Sequence, residues 1–177
     1  MFNRIKSWFI KDKGTAAIEF ALVGLPFIVM LIGIVEVSLY FASGVVLEGA
    51  ANDAARMIRT GQVQAAADPL QTFTDKLCDR VGLLISCINL QYEVLAVPDN
   101  SFASAAALTP TFDEDGDLVS GGFTPSGSSD AVLVRIVYRY EFLTPLLGGM
   151  MSRDPTTNLA TLMSTVVLRN EPYAFGG

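Results

Sequence analysis

The feature that most constrains this chain is an apolar segment close to its N-terminus. Residues 15–41 read TAAIEFALVGLPFIVMLIGIVEVSLYF, and the 16 residues between Glu19 and Glu36 carry no charge. A helix needs about 20 mostly apolar residues to cross a bilayer. Residues 15–41 therefore predict a membrane-spanning helix with a glutamate near each edge.

The charge distribution predicts how this helix is oriented. Residues 1–14 hold four Lys or Arg residues and one Asp, whereas the whole chain has a formal net charge of −6. Basic residues beside a span stay in the cytoplasm. We expect a cytoplasmic leader (1–14), a span in inner-membrane lipid (15–41) and a periplasmic or extracellular body (42–177). The negative net charge argues against a nucleic-acid partner.

Three kinds of N-terminal segment could account for this pattern. A conventional signal peptide could be cut after the small residues Ala42, Ser43 and Gly44, but its apolar core has only 7–15 residues. A plain signal anchor would stay uncut and would make no use of Glu19. In the third case Gly14, which ends the basic leader, and Glu19, the fifth residue after it, form a processing signal.

Gly14 and Glu19 at this boundary resemble the class III signal of type IV prepilins and pseudopilins. In that family a membrane peptidase cuts after the glycine, which here would leave Thr15 as the new N-terminus. An intramembrane carboxylate is costly unless it is paired. In a stack of parallel helices, Glu19 of one subunit could pair with the Thr15 amino group of its neighbour and so set the register. The alternative is that Glu19 simply reaches the lipid headgroups.

A longer stretch resembles a narrower family, the TadE-like minor pilins (pseudopilins) of tight-adherence (Tad, type IVc) pili. The resemblance is carried by GTAAIEFALV, LPFIVMLIGIVEVSLY, NDAARMIRTG, a cysteine pair and a closing RNEPY. It implies an inner-membrane pseudopilin that is processed by a prepilin peptidase. It also implies contacts with other pilin subunits and the Tad assembly machinery, in pilus assembly, adherence and biofilm formation.

The helix is predicted to continue past the membrane as an amphipathic segment that ends near Gly61, a natural C-cap. Its predicted apolar face comprises Leu47, Ala50, Ala51, Ala54, Ala55, Met57 and Ile58. Within the span, Pro26 should kink the helix or free the Leu22 carbonyl. This is either a soft point used during assembly or an ordinary tolerated proline.

A second helix is predicted to begin at Asp68, as N-cap, with Pro69 in its first position. Its predicted apolar face comprises Leu70, Phe73, Leu77, Val81 and Leu84. In one continuous helix Cys78 and Cys87 would lie about 13 Å apart, too far for a disulfide. Outside the cytoplasm we expect them to be oxidised, so the helix should end near residues 82–86 and the chain turn back. Two free buried thiols are the alternative.

Three later segments, residues 88–97, 131–142 and 160–169, alternate apolar and polar residues as strands do. Ile88 is expected on the inner face of the first strand, and Arg135, Arg139 and Glu141 on the outer face of the second. The predicted fold class is α+β and pilin-like. A long N-terminal transmembrane and amphipathic helix packs on a small antiparallel sheet of about three strands.

The remaining segments are predicted to be loops. Residues 98–130 are rich in Ser, Ala, Gly and Asp and should form a solvated, flexible loop. Asp113, Asp115 and Asp117 alternate there, but Gly116 is out of register for an EF-hand, so we expect no bound calcium. Residues 145–155 form another break, and its apolar residues are expected to fill the core rather than form an exposed patch: Leu146, Leu147, Met150 and Met151.

The chain lacks the residues for most enzyme chemistry. It has no histidine, which removes the usual catalytic triads and histidine metal sites, and it has no phosphate-binding glycine loop. We expect no catalytic residue, no metal and no cofactor. A signal-anchored or secreted extracytoplasmic binding protein is the alternative to a pseudopilin. A secretion-system pseudopilin that never leaves the membrane would share every sequence feature.

Overall fold

The protein is described by a computed structural model that covers residues 15–82, 84–152 and 157–173 and divides into two units, residues 1–38 and 39–177. Its elements confirm the predicted α+β class. Helix α1 spans Thr15–Arg59, with Pro26 inside it. In the first unit nearly every side chain from residue 15 to residue 35 is exposed, whereas Glu36 is buried.

In the second unit, α1 is amphipathic as predicted. Its buried face comprises Leu47, Ala50, Ala51, Ala54, Ala55 and Ile58, while Met57 is only partly buried. The helix ends in a Schellman motif, in which the Gly61 and Gln62 N–H groups donate to the Ile58 and Met57 carbonyls, both at 3.0 Å. Gly61 has a φ of 77°, which glycine adopts without strain.

Helix α2 spans Pro69–Val81, and the Asp68 carboxylate caps it by accepting the Gln71 N–H at 2.9 Å. Three of the five predicted face residues are buried: Phe73, Leu77 and Val81. The prediction was wrong for Leu70 and Leu84, which are exposed. Leu84 lies beyond the end of the helix, and α2 joins the core only from Phe73 onward.

The sheet contains strands β1 (Leu90–Ala96), β2 (Ala131–Glu141) and β3 (Leu159–Arg169), antiparallel and in that order. One face packs on α1 and α2 through residues that include Val94, Val132, Val134, Ile136 and Leu168. Small alanines on α1 let the helix backbone approach this face closely. Ile88 was wrongly placed in this face: it lies in a 3₁₀ turn, Cys87–Asn89, and is exposed.

The other face of the sheet is also covered in part, by the connection between β1 and β2. This connection contains a short helix, α3 (Phe102–Ala105), and a second small core forms from Val97, Ala105, Ala131 and Leu133. Arg135 lies on this outer face, as predicted, but the side chain is only 3% exposed because the connection covers it. The flexibility of residues 98–130 stays a prediction.

The segment after β2 forms a helix, α4 (Pro145–Met151), in place of the predicted break. The expectation that its apolar residues fill the core was wrong for Leu146 and Met150, which are 63% and 75% exposed, and for Met151, which is exposed as well. Leu147 is partly buried. The last part of that predicted break, residues 153–155, lies outside the described residues.

Candidate assembly segment

Helix α1 presents the largest exposed apolar surface among the described residues. By length and composition it could cross a membrane once, and none of its most apolar 18-residue window is buried. An apolar surface of this extent requires lipid or another protein to cover it. The helix is therefore compatible with a single-pass membrane anchor.

The predicted processing site lies where this helix begins. Gly14 and the basic leader, residues 1–14, lie outside the described residues, and Thr15 is the first residue of α1. Glu19 is exposed, as are Ile18 and Phe20 on either side of it. Residues four apart share a helix face, so Thr15 and Glu19 lie along one side of α1. The pairing of these groups between subunits stays a prediction.

Pro26 sits inside α1, and helix continues on both sides of it. Proline has no N–H, so the Leu22 carbonyl loses its usual intrahelical donor. The Ser38 hydroxyl, further along, donates to the Ile34 carbonyl at 2.7 Å; such bonds add a second donor to one helix carbonyl. The role of Pro26 as a soft point stays a prediction.

The two cysteines form a disulfide, as predicted. Cys78 lies in the last turns of α2 and Cys87 in the 3₁₀ turn before β1, with their Cα atoms 5.3 Å apart. The chain reverses direction between them, since α2 ends at Val81 and Gly82 has a φ of 27°. The bond therefore fixes the end of α2 against the start of the sheet.

The closing RNEPY segment ties α1 to the loop before β2. The buried Asn170 amide donates to the carbonyls of Pro125 and Gly127, at 3.0 and 2.8 Å. The next residue, Glu171, donates its N–H to the Arg59 carbonyl at 2.9 Å and pairs with the Arg59 guanidinium at 3.2 Å. These residues thus stabilise the body at the C-terminal end of α1.

Two aspartates of the acidic run in the β1–β2 connection, Asp113 and Asp117, make hydrogen bonds within the protein. Asp117 Oδ1 accepts hydrogen bonds from Arg139 at 2.8 Å and from the Gln91 amide at 2.7 Å. These donors, Arg139 above all, lower the pKa of Asp117 below its ordinary value. Asp113 accepts the Asp117 N–H at 2.8 Å. Within the described ranges, no group of three or more His, Cys, Asp or Glu side chains could hold a metal ion.

A buried ion pair between neighbouring strands was missed by sequence reasoning. Glu93 and Arg135 are opposite each other on β1 and β2, and both side chains are 4% exposed. Arg135 also donates to the Leu108 carbonyl, and Glu93 accepts the Gly121 N–H at 2.8 Å. The pair therefore holds the β1–β2 connection at two points. The sequence feature that could have indicated burial of Arg135 is the apolar Leu133, which lies two residues earlier on the same face of β2.

Comparison with known proteins returns one family. Residues 14–56 match the family model for TadE-like proteins, and there is no significant match among curated proteins or among solved structures. The matched range begins at Gly14 and includes Glu19, Pro26 and most of α1. The resemblance is thus confirmed over residues 14–56, which are similar to TadE-like proteins.

Proposed function

We propose that this chain is a membrane-anchored minor pilin, or pseudopilin, of a tight-adherence pilus, acting in pilus assembly, adherence and biofilm formation. The observation that carries the proposal is the TadE-like match over residues 14–56. The exposed apolar surface of α1 supports it, because such a helix needs lipid or neighbouring helices around it. The proposed role is structural and requires neither catalysis nor a cofactor.

The proposed topology places residues 1–14 in the cytoplasm, 15–41 in the inner membrane and 42–177 in the periplasm, from where the subunit can enter the pilus. The basic residues before the span favour this orientation. The disulfide between Cys78 and Cys87 supports an oxidising location for the body. The proposed partners are a prepilin peptidase, other pilin or pseudopilin subunits and the Tad assembly machinery.

Cleavage and assembly are linked in this proposal through one charge. Cutting after Gly14 frees the Thr15 α-amino group, which can carry a positive charge. In the membrane this ammonium group of one subunit pairs with Glu19 of the next. Because unpaired charges are costly in lipid, the pair selects one register between neighbouring helices.

Intact-mass measurement on protein from native membranes tests the processing step. We expect a chain that starts at Thr15 when the peptidase is present and the full chain when it is deleted. Gly14→Leu should remain full length, while Gly24→Leu, a matched change within α1, should be cut normally. A first residue of Met1 or Val45 in pili would contradict the proposal and favour a signal anchor or a secreted protein.

A second experiment tests the pairing role of Glu19. Glu19→Ala should be cut like the wild type but should be lost from isolated pili, because the mature amino group has no partner. Glu114→Ala removes an exposed carboxylate of the body and serves as the control. Quantitative immunoblots of sheared pili measure both variants. Wild-type levels of Glu19→Ala in pili would contradict the pairing.

A further inference from the structure

One end of the sheet carries an exposed apolar patch, made of Ile88, Leu143, Leu146 and Met150. Ile88 is 90% exposed and Leu143 84% exposed, values unusual for large aliphatic side chains. Leu146 and Met150 are four residues apart on α4, so they share one face of that helix. Ile88 and Glu141 line one small cavity, which places Ile88 beside the end of β2.

This patch lies at the end of the body where the chain enters it. The Tyr40 ring lies 5.4 Å from the rings of both Tyr140 and Phe142, and the start of β1 pairs with Tyr138. Tyr40 belongs to the last turn of the proposed span, residues 15–41. The aromatic cluster of Tyr40, Tyr140 and Phe142 therefore lies where the span would leave the bilayer.

The opposite end of the sheet lies far from this point. There Ala131 pairs with Arg169, whose guanidinium lies 5.9 Å from the centre of the exposed Phe102 ring. Ala131 and Tyr140 are nine residues apart on β2, about 30 Å at the rise of an extended strand. The two ends of β2 are thus separated by about the thickness of the hydrocarbon core.

We propose that the patch formed by Ile88, Leu143, Leu146 and Met150 contacts phospholipid in the periplasmic leaflet of the membrane that α1 crosses. Lipid is the occupant favoured here because the patch lies at the same end of the sheet as the end of the span. Tyrosine is also enriched at membrane–water interfaces, where its ring is apolar and its hydroxyl is hydrated. Side chains at that level can enter the boundary between headgroups and acyl chains. The inference rests on the proposed membrane anchor.

Tryptophan fluorescence with brominated lipid tests this contact in the full chain. Trp8 is the one tryptophan, so Trp8→Phe gives a silent background. Met150→Trp and Ile88→Trp place a reporter on two elements of the patch, and Phe102→Trp is the control at the far end. Each protein is placed in vesicles of phosphatidylethanolamine and phosphatidylglycerol with acyl chains brominated near the headgroups. A thiol count confirms the disulfide in every variant.

Because interfacial side chains lie at the boundary between headgroups and acyl chains, we expect both patch reporters to lose about half of their emission to the bromolipid. We expect Phe102→Trp to lose little. Phe27→Trp, in the middle of the span, reports on the anchor itself in matched vesicles whose acyl chains are brominated near their ends. Quenching of Phe27→Trp without quenching at either patch position would overturn the inference and leave the anchor standing. Patch reporters shielded from aqueous iodide but not quenched by bromolipid would show a protein cover instead, which also overturns it. An unquenched Phe27→Trp would overturn the anchor, and the patch proposal with it.

Discussion

At the scale of single residues, strand β2 carries two arginines in contrasting surroundings. Arg135 and its partner Glu93 are each 4% exposed, whereas the side chains of Arg139 and Asp117 are 22% and 44% exposed. Exposed ion pairs contribute little to stability because water already solvates both charges. Removing one partner of a buried pair is costly because it leaves the other charge without solvent or partner.

Arg135→Met is therefore expected to lower the free energy of unfolding by about 3–5 kcal/mol. The matched change on the same strand, Arg139→Met, should cost about 1 kcal/mol or less. The double variant Arg135→Met with Glu93→Leu should recover most of the loss, because no charge is left buried. Urea unfolding of the detergent-solubilised chain, followed by near-UV circular dichroism, measures all three. Equal losses for the two single variants would contradict this account.

The Asp117 carboxylate gives the body a specific dependence on pH. Its pKa is lowered, first by the hydrogen bond from Arg139 and then by that from Gln91. A lowered pKa in the folded state stabilises the protein above the unfolded value of about 3.9, and this stabilisation is lost as the pH falls through the folded value. Asp117→Asn should therefore be less stable than the wild type at neutral pH, with the difference shrinking in acid.

Carbon-detected NMR titration of the carboxyl groups measures this directly. In Arg139→Met the pKa of Asp117 should rise toward its ordinary value, because its main stabilising donor is gone. An Asp117 titration that is unchanged in Arg139→Met would show that the hydrogen bond does not form in solution.

At the scale of elements, Asn170 connects the closing segment to the loop before β2. The Asn170 amide serves two carbonyls of the loop before β2, and the side chain is buried. Asn170→Ala should lower the free energy of unfolding by about 1–3 kcal/mol, because buried polar groups lose their partners. Asn52→Ala, on the exposed face of α1, removes only a bond to the Glu48 carbonyl and should change little. Thermal unfolding of the two variants decides the comparison.

Elements with a regular apolar repeat were predictable from the sequence. The loop that covers the second face of the sheet was not. The face of α1 from Leu47 to Ile58 follows helical spacing, and the alternation in β2 gives the strand itself. Periodicity does not say whether an irregular segment covers the second face of a strand, which is why the burial of Arg135 was not predicted. For the same reason Met150 was assigned to the core, since composition cannot show on which side a short helix packs.

The candidate site was predictable only where it depends on local sequence order. The positions of Gly14 and Glu19 relative to the apolar run indicated the family, and the match over residues 14–56 agrees. The disulfide was expected because the body was placed outside the cytoplasm. The end of the helix between Cys78 and Cys87 then followed, because a straight helix would hold them too far apart. The Glu93–Arg135 pair could not be found in this way. Its two residues are 42 positions apart in sequence and come together only because of the register in which β1 pairs with β2.

At the scale of the whole molecule, the disulfide limits how far the body can unravel. It joins residues nine apart in sequence, and a loop of this size stabilises a fold by about 2–4 kcal/mol. The double variant Cys78→Ser with Cys87→Ser should lose that amount, and reduction of the wild type should lose the same. Denaturation with and without reductant tests this. A wild type that is as stable reduced as oxidised would show that the bond does not brace the body.

The alanine face of α1 has a consequence for any neighbour of this subunit. Ala50, Ala51, Ala54 and Ala55 are already buried against the body. Residues 47–59 of α1 therefore expose mainly their hydrophilic side, which includes Glu48, Asn52 and Arg56. Contacts that a neighbour makes with these side chains would be ionic and hydrated, so raising the salt concentration would weaken them. Contacts made by residues 18–35 would be apolar and therefore insensitive to salt. Washing with high salt should therefore weaken contacts made by the hydrophilic part of α1 and leave contacts made by residues 18–35 intact.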